Sequence, residues 1–88
     1  MALTGQLEIE YYQLTPVGVA RLQQGTFPKN MDRTLKGIVG EIGKLGGTAE
    51  IDELTFSTGL GTPMLKQGLR QLVDLGYVTL VNFEQEVK

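Results

Sequence analysis

The stretch TAEIDELTFSTGLGTPMLKQGLRQLVDLGYV, residues 48–78, decides the fold of this chain. Its first ten residues predict a short helix over 48–57 with Thr48 as the cap, because a threonine there precedes acidic and apolar residues. After the turn TGLG, a longer helix is predicted over 62–75. Residues 77–83 are rich in β-branched and aromatic side chains, which favours a strand.

The helix predicted over 62–75 has clear end signals and one apolar side. Thr62 is the expected cap, Pro63 suits the first helical position, and Gly76 ends the helix. Apolar residues recur at three- and four-residue spacing and define an inner stripe, namely Leu65, Leu69, Leu72 and Val73. The opposite side of the helix therefore carries Lys66, Gln67, Arg70 and Asp74.

The N-terminal region predicts a strand followed by a short helix. Residues 7–14, LEIEYYQL, alternate apolar and acidic residues, as a strand with two different faces does. Thr15 then caps a helix that begins at Pro16 and stops at Gly25. Since an unpaired strand leaves backbone groups open, we expect residues 7–14 to pair antiparallel with 77–83.

A glycine recurs at every third position in LKGIVGEIGKLGG, residues 35–47. A phosphate-binding loop would run into Lys-Ser/Thr at a helix start, and this stretch runs into GGTAEI instead. A helix over 31–45, capped by Asn30, fits the apolar stripe of Met31, Leu35, Ile38, Val39, Ile42 and Leu45. Two interpretations of its glycine face stay open: a tolerated surface composition, or a narrow face that lets the backbone of the N-terminal helix or of a second subunit come close.

Composition excludes most catalytic classes. The 88 residues suggest a single domain, 1–88, without cysteine or histidine and with one serine, Ser57. A thiolate zinc site and a serine or cysteine triad are therefore impossible, and we expect no enzyme, metal or cofactor. The carboxylates at 50, 52 and 53 are interpreted as complementing a helix dipole. No apolar run is long enough for a membrane span and no signal peptide is evident, so we expect a cytoplasmic protein.

Residues 48–78 resemble the helix-turn-helix core of winged-helix proteins. Leu54, the Gly59-Leu60 turn, the leucine stripe and Gly76-Tyr77-Val78 carry the resemblance. EYYQLTPVGVARL, residues 10–22, is similar to the YxLTxxGxxxL segment of PadR-like and MarR-like regulators, which forms their second wing strand and the next helix. There the segment follows the recognition helix, whereas here it comes first.

The resemblance implies a winged helix-turn-helix of the α+β class, mainly α with a small sheet. We expect the element order β-α-α-α-α-β, with the wing built from N- and C-terminal strands in a permuted arrangement. An alternative is that a second subunit donates one of these strands.

The resemblance also implies a function: a sequence-specific DNA-binding protein, such as a transcriptional regulator, that reads the major groove with the helix at 62–75. Arginine and lysine pair with guanine, glutamine pairs with adenine, and a threonine at a helix start contacts phosphate. The predicted DNA-binding residues are thus Thr62, Lys66, Gln67 and Arg70. Because the chain has a net charge of −2, we expect a homodimer to supply the affinity that one acidic copy lacks.

Two alternatives stay open. Arg70 and Asp74 are four residues apart and would form a solvated ion pair on the helix surface. The acidic balance, including Glu84 and Glu86 after the last strand, would also suit a winged-helix protein–protein interaction module that does not bind DNA.

Overall fold

A computed structural model describes the backbone of residues 6–86 and the side chains of residues 10–81. It is an α+β fold with four helices and a three-stranded antiparallel sheet. The elements in chain order are β1 (Gln6–Leu14), α1 (Pro16–Gln24), α2 (Arg33–Lys44), β2 (Thr48–Glu50), α3 (Ile51–Thr58), α4 (Thr62–Asp74) and β3 (Val78–Glu86).

The N-terminal strand is the centre of the sheet, whose order is β2-β1-β3. β1 and β3 pair antiparallel over their whole length, from Gln6 opposite Glu86 to Leu14 opposite Val78, so the expected pairing of the two ends of the chain is observed. β2 reaches only residues 11–13 of β1. The outer half of the β1–β3 ribbon therefore has no third strand among residues 6–86.

The predicted order β-α-α-α-α-β is wrong in one respect, because it omits β2. Residues 48–50 were assigned to the helix at 48–57, but they form a strand, and Ala49 is fully buried opposite Tyr12. The helix begins three residues later at Ile51 and is capped by Glu50 rather than Thr48. Pairing with β1 therefore overrides the local cap signal at Thr48.

Two other predicted caps shift by one or two residues. Asp32 caps α2 in place of Asn30, and its Oδ1 accepts a 2.7 Å hydrogen bond from the Thr34 amide. Gly61 caps α4, so Thr62 is the first helical residue rather than the cap. The caps of α1 are as predicted, since the Thr15 hydroxyl accepts from the Gly18 amide and Gly25 adopts a left-handed φ of 65°.

The core lies between α2, α3, α4 and the base of the sheet. Its fully buried side chains are Ile38, Val39, Ile42, Ala49, Leu54, Leu65, Leu69 and Leu72. α2 and α4 approach closely at Gly68, where an added Cβ would lie 2.7 Å from the Ile38 Cδ1 atom. The apolar stripes predicted for these two helices are the surfaces that pack, except that Leu45 and Val73 are exposed, at 38% and 39%.

The start of α1 is fastened to the start of β3. The Thr15 amide donates to the Tyr77 carbonyl at 3.0 Å, and the Thr15 hydroxyl donates to the Gly76 carbonyl at 2.6 Å. A Cβ at Gly18 would overlap the Tyr77 carbonyl oxygen, so only glycine fits there. These contacts give a packing reason for the threonine and glycine of the LTPVG segment.

The glycine face of α2 divides into two parts. At Gly43 an added Cβ would lie 2.6 Å from the Leu22 Cδ2 atom, so α1 packs there through a side chain and not through a closely approaching backbone. At Gly37 and Gly40 nothing lies within 4 Å, and these two positions border open space.

Candidate nucleic-acid interface

α4 separates an apolar side from a polar side, as its sequence predicts. Leu65, Leu69 and Leu72 are fully buried. The four predicted site residues are all exposed: Thr62, Lys66, Gln67 and Arg70. The helical repeat of 3.6 residues accounts for this division, because residues three and four apart share one side.

Lys66 and Arg70 line the same groove, which lies between α4 and the sheet and has a volume of about 340 Å³. Its other walls come from both long strands and from α4 itself: Glu10, Tyr12, Val73 and Leu80. Thr62 and Gln67 are exposed on α4 but do not line this groove. The structure therefore brings two of the four predicted residues together and leaves the other two elsewhere on the helix surface.

Arg70 is available for an external partner. Arg70 forms no ion pair with Asp74. The ion pair found among the described side chains is on α2 and joins Lys44 Nζ to Glu41 Oε1 at 3.5 Å. The alternative of a solvated Arg70–Asp74 pair is therefore wrong for this structure. Arg70 instead lies close enough to Tyr12 to act on its phenol, whose pKa is raised by burial and by the charge of Glu10, and lowered by the charge of Arg70.

Within the described residues, no side chain accepts a hydrogen bond from the N-terminal amides of α4. Gly61 caps it with φ −64° and ψ 150°, no side chain bonds to the first-turn amides, and the first turn contains no acidic residue. Helix N-termini of this kind attract anions, because free N–H groups and the helix dipole act together. Thr62 lies at this end of the helix.

The neighbouring carboxylates are used within the fold. Glu50 and Glu53 form a capping box at the start of α3, in which the Glu50 amide donates to Glu53 Oε1 at 3.0 Å. The Tyr11 pKa is raised by burial, by a hydrogen bond to Glu50 and by the nearby charges of Glu50 and Glu53. The predicted role of this cluster as a helix-dipole complement fits this geometry, and no metal-binding group is found among the described residues.

Sequence reasoning missed two features of this surface. The groove beside α4 needs Leu80 of β3 and also Glu10 and Tyr12 of β1, a strand that is distant from α4 in sequence. Phe56 is 93% exposed on α3, and Met64 on α4 is also exposed. The signal for Phe56 was present, because it lies opposite Leu54 on the helical wheel.

The comparisons with known proteins return no relative. No family model matches the chain, and no curated protein or solved structure matches it significantly. None of the helices in the described part of the chain is long and apolar enough to cross a bilayer.

Proposed function

We propose that this chain is a winged-helix protein that binds duplex DNA with α4 and acts as a transcriptional regulator. The observation that carries this proposal is the outer side of α4, where two cations, an amide and a hydroxyl are exposed opposite a buried leucine stripe. The major groove of B-DNA is wide enough to admit an α-helix presented in this way.

The order of elements around α4 supports the winged-helix interpretation. α3 and α4 are joined by three residues, 59–61, and α4 is followed by β3. β1 lies antiparallel to β3 and is followed by α1, as the resemblance implies for the second wing strand. Gln6 and Glu86 are opposite each other at the outer end of the described ribbon.

Each residue of the proposed interface has a chemical role. Arg70 and Lys66 donate to guanine O6 and N7 or to phosphate, and Gln67 matches the N6 and N7 edge of adenine. Thr62 and the uncapped amides beside it hold a phosphate at the start of the helix.

The charge around α4 limits the affinity. Glu10 lies in the same groove as Lys66 and Arg70, and Asp52 and Glu53 are exposed on α3. We therefore expect weak, strongly salt-dependent binding. With two to four phosphate contacts, the slope of log K against log salt concentration should be roughly −2 to −4.

The experiment is a titration of random duplex DNA at about 50 mM salt, a concentration at which phosphate contacts are only weakly screened. We expect measurable binding to the unaltered chain, and Arg70→Ala should weaken it and reduce the salt slope by about 1. Against a specific site, the same variant should lose roughly 1–3 kcal/mol. Lys29→Ala is the matched control, because it removes an exposed cation from the α1–α2 linker. No binding at low salt, or equal losses in both variants, would contradict the proposal.

A second candidate is a protein–protein interaction module, and a specific groove favours it. Between α1 and α2 lies a mainly apolar groove of about 570 Å³, lined by Leu14, Val19, Leu22, Gly40 and Gly43 among others. An amphipathic helix fits such a groove through apolar residues at helical spacing. If duplex DNA fails to bind, amide shifts at Gly40 and Gly43 on adding an amphipathic peptide would support this candidate.

A further inference from the structure

β3 has one free edge over its whole length. The strand runs for nine residues, Val78–Glu86, and its only neighbour within residues 6–86 is β1. Its outer edge therefore presents about 30 Å of backbone N–H and C=O groups that no strand of the described chain pairs.

This edge has little of the usual protection against pairing. Natural edge strands are short, or they carry proline, charged side chains (above all lysine) or a bulge. β3 is long, contains neither proline nor lysine, and keeps an unbroken register with β1 from end to end; its charged residues are Glu84 and Glu86, both in its second half. A two-stranded ribbon that projects from the domain is also marginally stable alone, so a further strand would stabilise its outer half.

We propose that the β3 strands of two copies of this chain pair edge to edge and antiparallel, forming a continuous six-stranded sheet. The two-fold axis would stand normal to the sheet, so that each face of one copy continues into the same face of the other. This inference goes beyond DNA binding and does not rest on it.

The sequence of β3 is compatible with its own antiparallel copy. The register that pairs all nine residues is centred on Asn82 and sets Val81 opposite the partner's Phe83. A β-branched residue opposite an aromatic residue is a favourable cross-strand pair. The same register sets Glu84 opposite the partner's Leu80 and Glu86 opposite the partner's Val78, so no two glutamates face each other across the new ladder.

Charge favours a second copy over an unrelated strand as the occupant. Leu80 lines the groove that contains Lys66 and Arg70. In the Asn82-centred register, the partner's Glu84 is opposite Leu80. The two-fold axis repeats this pairing with the roles of the two copies exchanged. Each copy thus supplies an acidic residue where the other has a cationic groove. A single strand edge is smaller than the standard interface of roughly 1,600 Å², so we expect micromolar rather than nanomolar dissociation.

The test is sedimentation equilibrium of the full chain and of Asn82→Lys. Within one chain Asn82 is opposite Glu10, so a lysine is tolerated in the ribbon. Across the two-fold axis, however, two lysines would face each other. Gln13→Lys is the matched control, because it adds the same charge to the central strand, which is paired on both sides there.

At concentrations well above a micromolar dissociation constant, we expect the unaltered chain and Gln13→Lys to sediment at twice the 9.6 kDa chain mass. Asn82→Lys should dimerise at least tenfold more weakly, a loss of about 1.4 kcal/mol. A monomeric unaltered chain, or equal dimerisation of the two variants, would overturn the proposal.

A second measurement keeps the test decisive if Asn82→Lys fails to fold. In the unaltered chain, alternate amides of residues 78–86 should exchange more slowly as protein concentration rises, and concentration-independent exchange would overturn the proposal. Duplex DNA is titrated against the same samples. Failure to dimerise and failure to bind DNA are separate results, because sedimentation reports the first and the titration reports the second. Since the partner's Glu84 would lie next to the groove of Lys66 and Arg70, the dimer should bind duplex DNA more weakly than the monomer.

Discussion

The consecutive helices α3 and α4 differ in how their N-termini are capped. α3 begins at Glu50, has Asp52 and Glu53 in its first turn, and closes on itself through a capping box. α4 begins at Gly61, has neither a capping side chain nor an acidic residue in its first turn, and carries Lys66 and Arg70 further along.

This difference separates stability from recognition. The positive end of α3 is neutralised by carboxylates of the same chain, which leaves it little attraction for an external anion. The positive end of α4 has no such partner, and the cations that follow extend the same preference along its outer side. Under the proposed function, α3 supports the fold and α4 meets the DNA. The predictions below test this division.

The largest expected effect comes from reversing the charges of α4. Lys66→Glu combined with Arg70→Glu should weaken duplex binding more than about 100-fold, since each contact is worth roughly 1–3 kcal/mol. Folding should be unchanged, because both side chains are exposed. Fluorescence anisotropy with labelled duplex measures the loss. The control is Lys29→Glu with Arg33→Glu, two exposed cations away from α4, which makes the same change in net charge. An equal loss of affinity in the control would mean that net charge alone causes the effect.

The next effect comes from giving α4 the kind of cap that α3 has. At Gly61 the backbone is extended, and an added Cβ would meet only Pro63 Cδ at 3.9 Å, so Gly61→Asp fits without strain. We expect thermal unfolding to show a gain of about 0.5–1 kcal/mol from the new cap and the lower entropy of the unfolded chain. Duplex affinity should fall several-fold, because a carboxylate then occupies the place of a phosphate.

Gly61→Asn separates these two consequences, since asparagine caps a helix without adding charge. It should stabilise the fold similarly and reduce duplex affinity less than Gly61→Asp. If Gly61→Asp stabilised the fold and left duplex affinity unchanged, the N-terminus of α4 would not lie at a phosphate.

A smaller effect is expected from opening the cap of α3. Glu53→Ala removes the acceptor for the Glu50 amide and should cost about 0.5–1 kcal/mol of stability in chemical denaturation. Glu53→Gln keeps an acceptor oxygen and should cost less. Both variants remove one exposed carboxylate and should raise duplex affinity slightly and equally. Unequal affinities would mean that the capping geometry, rather than the charge, controls DNA binding.

The smallest effect is expected at the C-terminal end of α3, where a side chain also forms a hydrogen bond within the chain. Ser57 Oγ donates to Glu41 Oε2, and this bond is the main cause of a lowered Glu41 pKa; burial opposes it and Lys44 adds to it. A lowered folded-state pKa stabilises the fold above the unfolded value of about 4.3, and that stabilisation is lost as the pH falls through the lower folded value.

Ser57→Ala should therefore raise the Glu41 pKa toward its ordinary value and reduce the loss of stability in acid. An NMR titration of the Glu41 carboxyl carbon follows the change. Identical titration curves for the two proteins would show that the Ser57 hydroxyl does not hold this carboxylate in solution.

The helices and the long strand pair could be predicted because their signals are local and repeated. The apolar stripes of α2 and α4 recur over three turns, and the Thr15, Pro16 and Gly25 signals agree on the bounds of α1. β2 could not be predicted, because three residues are too few for an alternation to be detected. Only its pairing with residues 11–13 of β1 makes that segment a strand.

The candidate site could be predicted only where it depends on the local pattern of α4. The helical repeat alone places Lys66, Gln67 and Arg70 opposite the leucines. The groove beside α4 was not predictable, because it depends on how the helix lies over Tyr12 and Leu80, which belong to opposite ends of the chain. The open N-terminus of α4 was hidden for a different reason: Thr62 is a good capping residue, and only the structure assigns the cap to Gly61.

Amide shifts recorded while random duplex DNA is added at low salt test the central claim most directly. The account predicts that the largest shifts fall on the first turns of α4, around Thr62, Lys66 and Arg70, and that the first turn of α3 shifts little. Shifts centred on α3 or on the α1–α2 groove, or none at all, would contradict it.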